Sequence, residues 1–592
     1  MLAIDLSIVT YAPDLALLAR LLESLAEDTL AASRHLYIQD NGGDAAVVAS
    51  IAALGILRPG GAFATVSIER SEGNVGFGRG HNANARRGLA PFLLVINQDC
   101  VLERGALAGI LATAQASAAD VAAWELRQIP YEHPKAYDPA TLEVSWVSGA
   151  ATLLRRAAFE AVGGFEPRIF MYGEDVDLSW RLRARGWRLL YQPRCAVVHR
   201  TYRAPHAYKP LQVFEGVLVN LCLRVRYRGH RSALRGLRML AREVTSLRAS
   251  PARRWGLARA GLRFLARWPY FARTRVASSE RFRPVFIGWD YERHRDGAFH
   301  PCDSRREAPP ASDPLVSILI RTRGRPAWLH EALASCAAQT HPNLEVVVIE
   351  GGAGCCRPVV DEFAGRLAIR YHATGEATGR ARNGNLALAA ARGEWLNFLD
   401  DDDVLFADHV EVTLAAALRE RVAGAYGLAW ETHTRVHDRD RARYEEVHHA
   451  TRHAQRFDRM LLWHHNYLPI QSVLFHRRLY ERHGGFDEAM DQLEDWNLWT
   501  RYTLEDDFVM VDKTTSKYRV PADAGEAAER QALLDLAYAG ALERQRLMRG
   551  AFSPQQVIAM AEGHARRHRL LARFAGRFPV SGRVLRRMDL IK

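Results

Sequence analysis

Long apolar runs are missing from this 592-residue chain. Nowhere do the roughly 18 uninterrupted apolar residues of a spanning helix occur. The opening MLAIDLSIVTYAP has no basic stretch ahead of an apolar one, so no cleaved leader is expected either. Cysteine is scarce. The seven present are an odd number, scattered and without any CxxC pair, which excludes a disulfide framework and the usual zinc spacings; Cys355 and Cys356 read as reduced thiols. These absences point to a cytoplasmic protein. Acidic residues are outnumbered, 67 against 80 lysines and arginines, and the net charge of +13 must attract something anionic: nucleic acid, a phosphorylated substrate or an acidic lipid surface. No RNP1, KH or finger pattern accompanies that charge, so a nucleic-acid partner is not expected. What remains is an ordinary folded composition, 48% hydrophobic and 25% charged. The length is enough for about two to four domains.

Two stretches begin alike. DLSIVTY followed by LALLARLLESL, and PLVSILIRTR followed by WLHEALASC, each give a short apolar strand and then a helical pattern. Further strand-like runs follow in both halves: LYIQDNGG, VSIERS and FLLVINQD in the first, LEVVVIEGG, LAIRYHA and WLNFLDDDD in the second. Strands alternating with helices predict an α/β fold with an open, mostly parallel sheet, whose ligands sit at the carboxyl ends of the strands. Between the halves, from about Lys209 to Arg283, the pattern turns helical and basic, with Arg beside Leu, Phe and Trp. HRDGAFHPCDSRREAPPASDP reads as a linker. The predicted boundaries are 1–205 for a first α/β domain, 206–290 for basic amphipathic helices, 291–313 for the linker, 314–522 for a second α/β domain and 523–592 for a basic helical tail.

Carboxylates close two of the strands. Asn97-Gln98-Asp99 and Asp400 to Asp403 are hard oxygen donors at strand ends and suit Mg²⁺ or Mn²⁺ held together with a substrate phosphate. An isolated acidic triplet also serves as a solvated turn or helix cap, but four like charges in a row repel unless solvent or a cation neutralises them. A second acidic feature occurs twice, YGEDVDLSWR ending at Arg181 and LEDWNLWTR ending at Arg501, each about ten residues after a Gly-Gly-Phe turn. Helical spacing puts Glu174-Asp175 and Glu494-Asp495 in the first turn of a helix. Acids there stabilise the macrodipole by roughly 0.3–1 kcal/mol, yet capping does not require the whole cassette twice.

On these motifs both halves resemble family-2 nucleotide-sugar glycosyltransferases of the GT-A fold. The first is similar to their rhamnosyltransferase-like branch through VTY, QDNGG, GNVGFGRGHN, NQD, FMYGEDVDLSWRLRARGW and the late His199; the second matches through VSILIRT, QTHPNLEVVVIEGG, GRARNGNLALAAARGEW, FLDDDDVL, GGFDE and EDWNLW. The resemblance implies Thr10, Asp40, Gly76 and Asn82 at the nucleotide, with Asp40 on its base or ribose, and Asn97, Asp99 and His199 around a divalent cation. Asp175 would be the general base of an inverting displacement; Glu174 would raise its pKa or contact the acceptor. In the second half the corresponding roles fall to Thr322, Glu350, Arg382 and Asn383 at the nucleotide, Asp400 and Asp402 at the metal, and Asp495 with Glu494 at the base. Two departures stand out: Glu350-Gly351 replaces the family's usual acid pair, and KYRVPADAG has no histidine to match His199.

The expectation is a bifunctional, metal-dependent transferase that uses dTDP-, UDP- or GDP-linked sugars to extend a cell-surface glycan, such as O-antigen, capsule or exopolysaccharide, on a glycan or lipid-linked acceptor. One alternative is a single active unit beside a degenerate glycan-binding or scaffolding one. Another, of a different class, is a non-catalytic binding module for membrane or nucleic acid. The aromatics Trp255, Phe264, Trp268 and Phe271 among the arginines suggest helices lying on anionic lipid, peripheral to the membrane, or else helices that simply pack between the two halves.

Overall fold

Strands buried on both faces read as continuous apolar runs, because helices cover each side of a parallel sheet. β1 (Ala3–Thr10), β2 (Ser33–Asp40) and β4 (Phe92–Asn97) are of this kind, and Ile4, Leu6, Ile8, Leu36, Ile38, Leu94 and Ile96 are fully buried. With β3 (Thr65–Arg70) they form a parallel set whose crossovers carry the helices Leu15–Glu27, Ala45–Ala52 and Phe77–Arg87. Each fully buried Leu or Ile contributes about 1.5–3 kcal/mol. The sheet then becomes mixed. β7 (Ala151–Arg155) lies antiparallel between β4 and β6 (Val121–Ile129), β8 (Arg188–His199) runs parallel to β6, and β5 (Cys100–Leu102) closes the edge against β8.

The computed structural model describes residues 2–562, apart from 29, 31, 59, 201–208, 248, 279–281, 298, 308–312, 491, 551 and 559–560. Of the basic helical tail expected over 523–592, the helix Ala524–Arg546 is described, and residues 563–592 lie outside the described residues. The chain divides into two compact units, Met1–Ala311 and Ser312–Lys592. Unit 2 comprises β9 (Val316–Thr322), β10 (Leu344–Glu350), β11 (Ala368–Ala373), β12 (Trp395–Asp400), β13 (Val404–Leu405), β14 (Gly424–Asp438), β15 (Arg443–Thr451), β16 (Val473–His476) and β17 (Phe508–Pro521). Its strand order, 11-10-9-12-16-14-17-13, repeats the 3-2-1-4-7-6-8-5 of unit 1 strand for strand; β15 is an addition paired with β14. Two α/β sheets of one strand order are therefore present.

The basic helices belong to the core of unit 1. The helix from Pro210, broken at Gly229 (φ 72°) and continuing to Thr245, packs with the helix Pro251–Arg273. Together they bury Val217, Leu221, Phe264 and Phe271 in one cluster with Val176 and Trp180. Phe264 and Phe271 are thus interior residues. Trp255, at 69% exposure, stays outside with Leu262 and Leu265. Arg226, only 2% exposed, anchors the first of these helices by ion pairs to Glu166 (2.6 Å) and Asp177 (2.7 Å). Much of the stretch read as a linker also runs against unit 1: Cys302 N donates to Pro130 O (2.8 Å) and Arg295 pairs with Glu132 (2.7 Å). Among the described residues no helix is long and apolar enough to cross a membrane.

Candidate active sites

Parallel register brings the carboxyl ends of the central strands together. Thr10 stands opposite Asp40 and Val9 opposite Asn97; in unit 2 Thr322 stands opposite Glu350 and Arg321 opposite Asp400. Thr10 Oγ1 donates to Asp40 Oδ1 (2.8 Å), while Asp40 Oδ2 accepts from Gly42 N (3.0 Å) and Gly43 N (3.2 Å). Asp40 is fully buried and holds the turn that follows its strand. Glu350 does the same over a longer turn, accepting from the backbone of Gly354, Cys355 and Cys356 and from Tyr371 Oη (2.7 Å). Burial would raise its pKa, but the bonds from Tyr371 and Cys356 hold it below the ordinary range.

Gly76 opens the helix Phe77–Arg87 at φ +89°, and a Cβ there would lie 2.4 Å from Phe170 O. Only glycine fits this approach. Asn82 brackets the Gly-Gly-Phe turn: its Nδ2 donates to Phe165 O (2.8 Å) and its Oδ1 accepts from Phe165 N (2.9 Å). Asn385 makes the same pair with Phe486 (3.1 and 2.7 Å). Sequence reading had missed Asn385, although it follows Gly379 at the head of its helix at the same spacing as Asn82 follows Gly76. Arg382 is exposed beside Glu376 (3.6 Å), and Asn383 is buried against Thr378.

The duplicated cassette performs two jobs. Its rear half is structural. Arg181 holds Asp177 (2.8 Å) and donates to Val162 O (2.6 Å); Arg501 likewise holds Asn497 Oδ1 (3.0 Å) and donates to His483 O (2.6 Å). Each arginine thereby ties its helix to the chain entering the Gly-Gly-Phe turn. The front half stays available for chemistry. In unit 1 Asp175 Oδ2 accepts from Gly149 N (3.0 Å), and Glu174 Oε2 is buried with no partner. Burial and the adjacent Asp175 push Glu174 up to about 8, and burial raises Asp175 as well. At neutral pH the pair therefore retains a proton. In unit 2 Asp495 accepts from Asn466 Nδ2 (3.2 Å), and burial plus Glu494 push it up to about 7. A base poised near neutrality suits general-base work.

At the end of β4 in unit 1, Asp99 Oδ1 faces His199 Nε2 at 3.4 Å, with Asn97 Nδ2 at 3.5 Å from the same nitrogen. His199 Nδ1 bonds Gln128 Oε1 (2.8 Å). Nδ1 is the donor to the Gln128 amide oxygen, the second-sphere arrangement that orients metal-binding imidazoles. Burial would raise Asp99, but His199 holds it below the usual carboxylate range. A carboxylate oxygen and an imidazole nitrogen converging this closely fit a divalent cation.

Unit 2 is arranged differently. β13 pairs with β17 through Val404–Lys517 as β5 pairs with β8 through Val101–Val198, so Tyr518 occupies the place of His199. Its hydroxyl donates to Glu431 (2.9 Å). The four aspartates meet arginines: Arg321 chelates Asp400, Arg325 bonds Asp401 and Asp402, and Arg519 N donates to Asp403 (3.3 Å). Arg321 also reaches Glu494 (3.1 Å), linking strand end and acid pair, where unit 1 has Val9, Asn97 and a Glu174 whose Oε2 meets no donor among the described residues.

Residues 125–212 match the family model for glycosyltransferase-like family 2, and residues 317–484 match that for glycosyl transferase family 2. Each unit thus carries a stretch similar to family-2 glycosyltransferases. An N-acetylglucosaminyl-diphospho-decaprenol L-rhamnosyltransferase of Mycobacterium tuberculosis is 50% identical over 62 residues, covering 10% of this chain and 20% of that protein. The O-antigen biosynthesis protein RfbC of Myxococcus xanthus is 34% identical over 76 residues, 13% and 6% of the two chains. The chain thus spans a fifth or less of these relatives. Among solved structures, S. aureus TarS 1–349 superposes at a TM-score of 0.30 with 17% identity, covering 38% of this chain and 68% of that one. The mannosyltransferase PcManGT from Pyrobaculum calidifontis, in complex with GDP-Man and Mn²⁺, superposes at 0.30 with 14% identity, covering 46% and 72%.

Proposed function

We propose that each unit is an inverting transferase and that the chain adds two sugars, from dTDP-, UDP- or GDP-linked donors, to a growing cell-surface glycan. The observation that carries this reading is the repeated occurrence, on one strand order, of carboxylates at a strand end and of an acid pair opening a helix with at least one raised member, Glu174 and Asp175 in unit 1 and Asp495 in unit 2. In unit 1 Asp175 takes the proton of an acceptor hydroxyl while that oxygen bonds to the anomeric carbon; the carbon–oxygen bond to the diphosphate breaks, and the diphosphate leaves with the electron pair. One displacement inverts the centre. Gly149 N fixes the base, Gly76 lets the loop before the Phe77–Arg87 helix lie against the chain leading to Glu174, and Asp99 with His199 would hold Mn²⁺ or Mg²⁺. The cation, when bound, neutralises charge on the departing diphosphate. In unit 2 Asp495 is the base, positioned by Asn466.

The relative named as a rhamnosyltransferase favours a deoxyhexose donor and a lipid-diphosphate acceptor for unit 1. The test pairs Asp175→Asn with Asp495→Asn in the full chain, analysing products from each candidate donor. Each variant should remove a different transfer step. Tyr518 in the place of His199 supports a second reading, in which unit 2 only binds glycan. An unchanged product set with Asp495→Asn establishes that reading and ends the bifunctional one.

A further inference from the structure

Unit 1 buries an ion pair that the displacement does not use. The side chains of Lys135 and Glu125, 4% and 2% exposed, are bonded to each other. Lys135 Nζ also donates to Trp146 O (2.8 Å) and lies 4.0 Å from the centre of the Trp146 ring. Burying both charges is costly, so the pair is a poor source of stability. Its position gives it another use. Trp146 opens a short segment that three further bonds fasten: Val147 N donates to Ser179 Oγ (3.1 Å), one turn along the acid-pair helix, Ser148 Oγ accepts from Gln128 Nε2 (3.2 Å), and Gly149 N donates to Asp175 Oδ2 (3.0 Å). Lys135 therefore grips the chain three residues before the amide that fixes the base.

The charges that act on Asp175 come from several elements. Glu174 precedes it on the helix, while Lys135, Glu125 on β6 and the Tyr291 phenol act on it from elsewhere in unit 1; Tyr291 Oη lies 3.3 Å from where a Cβ of Gly173 would be. His133 and Glu292 act in turn on Lys135. Burial raises Asp175, and the bonds from Gly149 and Val176 and the charge of Lys135 oppose that rise. Glu174 has no such help, since its Oε2 meets no donor among the described residues. Unit 2 places its cation differently. Register puts Tyr426 where unit 1 has Glu125, and the buried Arg321 bonds Glu494, the neighbour of the base (3.1 Å). We propose that Lys135, oriented by Glu125, is a positioning residue of unit 1: it pins the segment that carries the Gly149 amide, and its charge leaves the retained proton on Glu174, so that Asp175 is the ionised member of the pair.

This rests on the transferase reading of unit 1. The test uses the full chain carrying Asp495→Asn and follows, across pH, the transfer step that Asp175→Asn removes. Taking away a nearby positive charge makes a carboxylate harder to ionise, and taking away a negative one makes it easier. Lys135→Met should therefore move the acid limb of the pH–rate profile to higher pH, slowing transfer at least about threefold below that limb. Glu125→Gln, which keeps Lys135 and its bond to Trp146 O, should move the limb to lower pH. Glu125→Leu combined with Lys135→Met strands neither charge, which protects the fold, and should move the limb in the same direction as Lys135→Met by a smaller amount. A pair with a merely structural role would lower the plateau and leave the limb in place. A limb that stays in place, or that moves the same way in Lys135→Met and Glu125→Gln, overturns the inference and leaves the transferase reading intact. A chain with no transfer step sensitive to Asp175→Asn overturns both.

Discussion

Replacing Arg226 by Met removes the buried cation that ties the added helices of unit 1 to its acid-pair helix. In the wild type the guanidinium meets Asp177, Glu166 and Thr274 Oγ1 (2.9 Å), and Asp177 is 0% exposed. Breaking a buried pair by removing one partner costs about 3–5 kcal/mol. Arg181 still holds Asp177 and Tyr270 still bonds Glu166, so the lower end, about 3 kcal/mol, is expected. The pH dependence has a definite sign. Burial would raise Asp177, but Arg181 and Arg226 hold it below the usual carboxylate value. Stability from that depression is present above the unfolded pKa of about 3.9 and is lost as pH falls through the folded value. The gap between wild type and Arg226→Met should therefore be widest at neutral pH and narrow below about pH 4. Urea unfolding followed by tryptophan fluorescence measures it, since Trp180 stacks edge-on against Tyr227 beside the ion cluster. A loss under about 1 kcal/mol at pH 7, or one that persists undiminished near pH 3, refutes the reasoning.

Three other outcomes are expected. If Asp495, pushed up to about 7, is the base, transfer by unit 2 rises with pH through that value, and Glu494→Gln moves the acid limb of the pH–rate profile downward by removing the neighbouring charge; an upward shift would contradict this cause. Gly76→Ala adds at least about 1–3 kcal/mol of backbone strain besides the contact with Phe170 O, visible as a lowered urea midpoint and weaker nucleotide binding in calorimetry. Gln128→Leu frees His199 Nδ1 and should weaken Mn²⁺ binding in unit 1 about 10–100-fold, with unit 2 unaffected in the same titration.

The alternation of strands and helices, the strand-end acids and the repeated cassette were all legible in the chain, because each is a local pattern: apolar runs of strand length, and acid pairs at a helix start. Roles that depend on partners were not. Asp40 and Glu350 look alike at their strand ends, but both carboxylates turn out to hold turns of different length. Asn82 bonds Phe165, a contact spanning 83 residues that no local pattern announces. Phe264 and Phe271 sit among arginines in sequence, yet the helix turns them inward to Trp180.

The order of residues alone thus determined two α/β units, each with carboxylates at a strand end and an acid pair opening a helix, since periodicity and short motifs are properties of neighbouring residues. Which partners those carboxylates meet was decided only by the tertiary structure. Asp400 and Asp402 are equivalent letters in a run of four, and their difference arises because strand register sets Arg321 beside the first while the second reaches solvent. The same holds for His199 and Tyr518: whether the residue at that strand position faces Asp99 or bonds Glu431 depends on which side chains the adjacent strands bring to it.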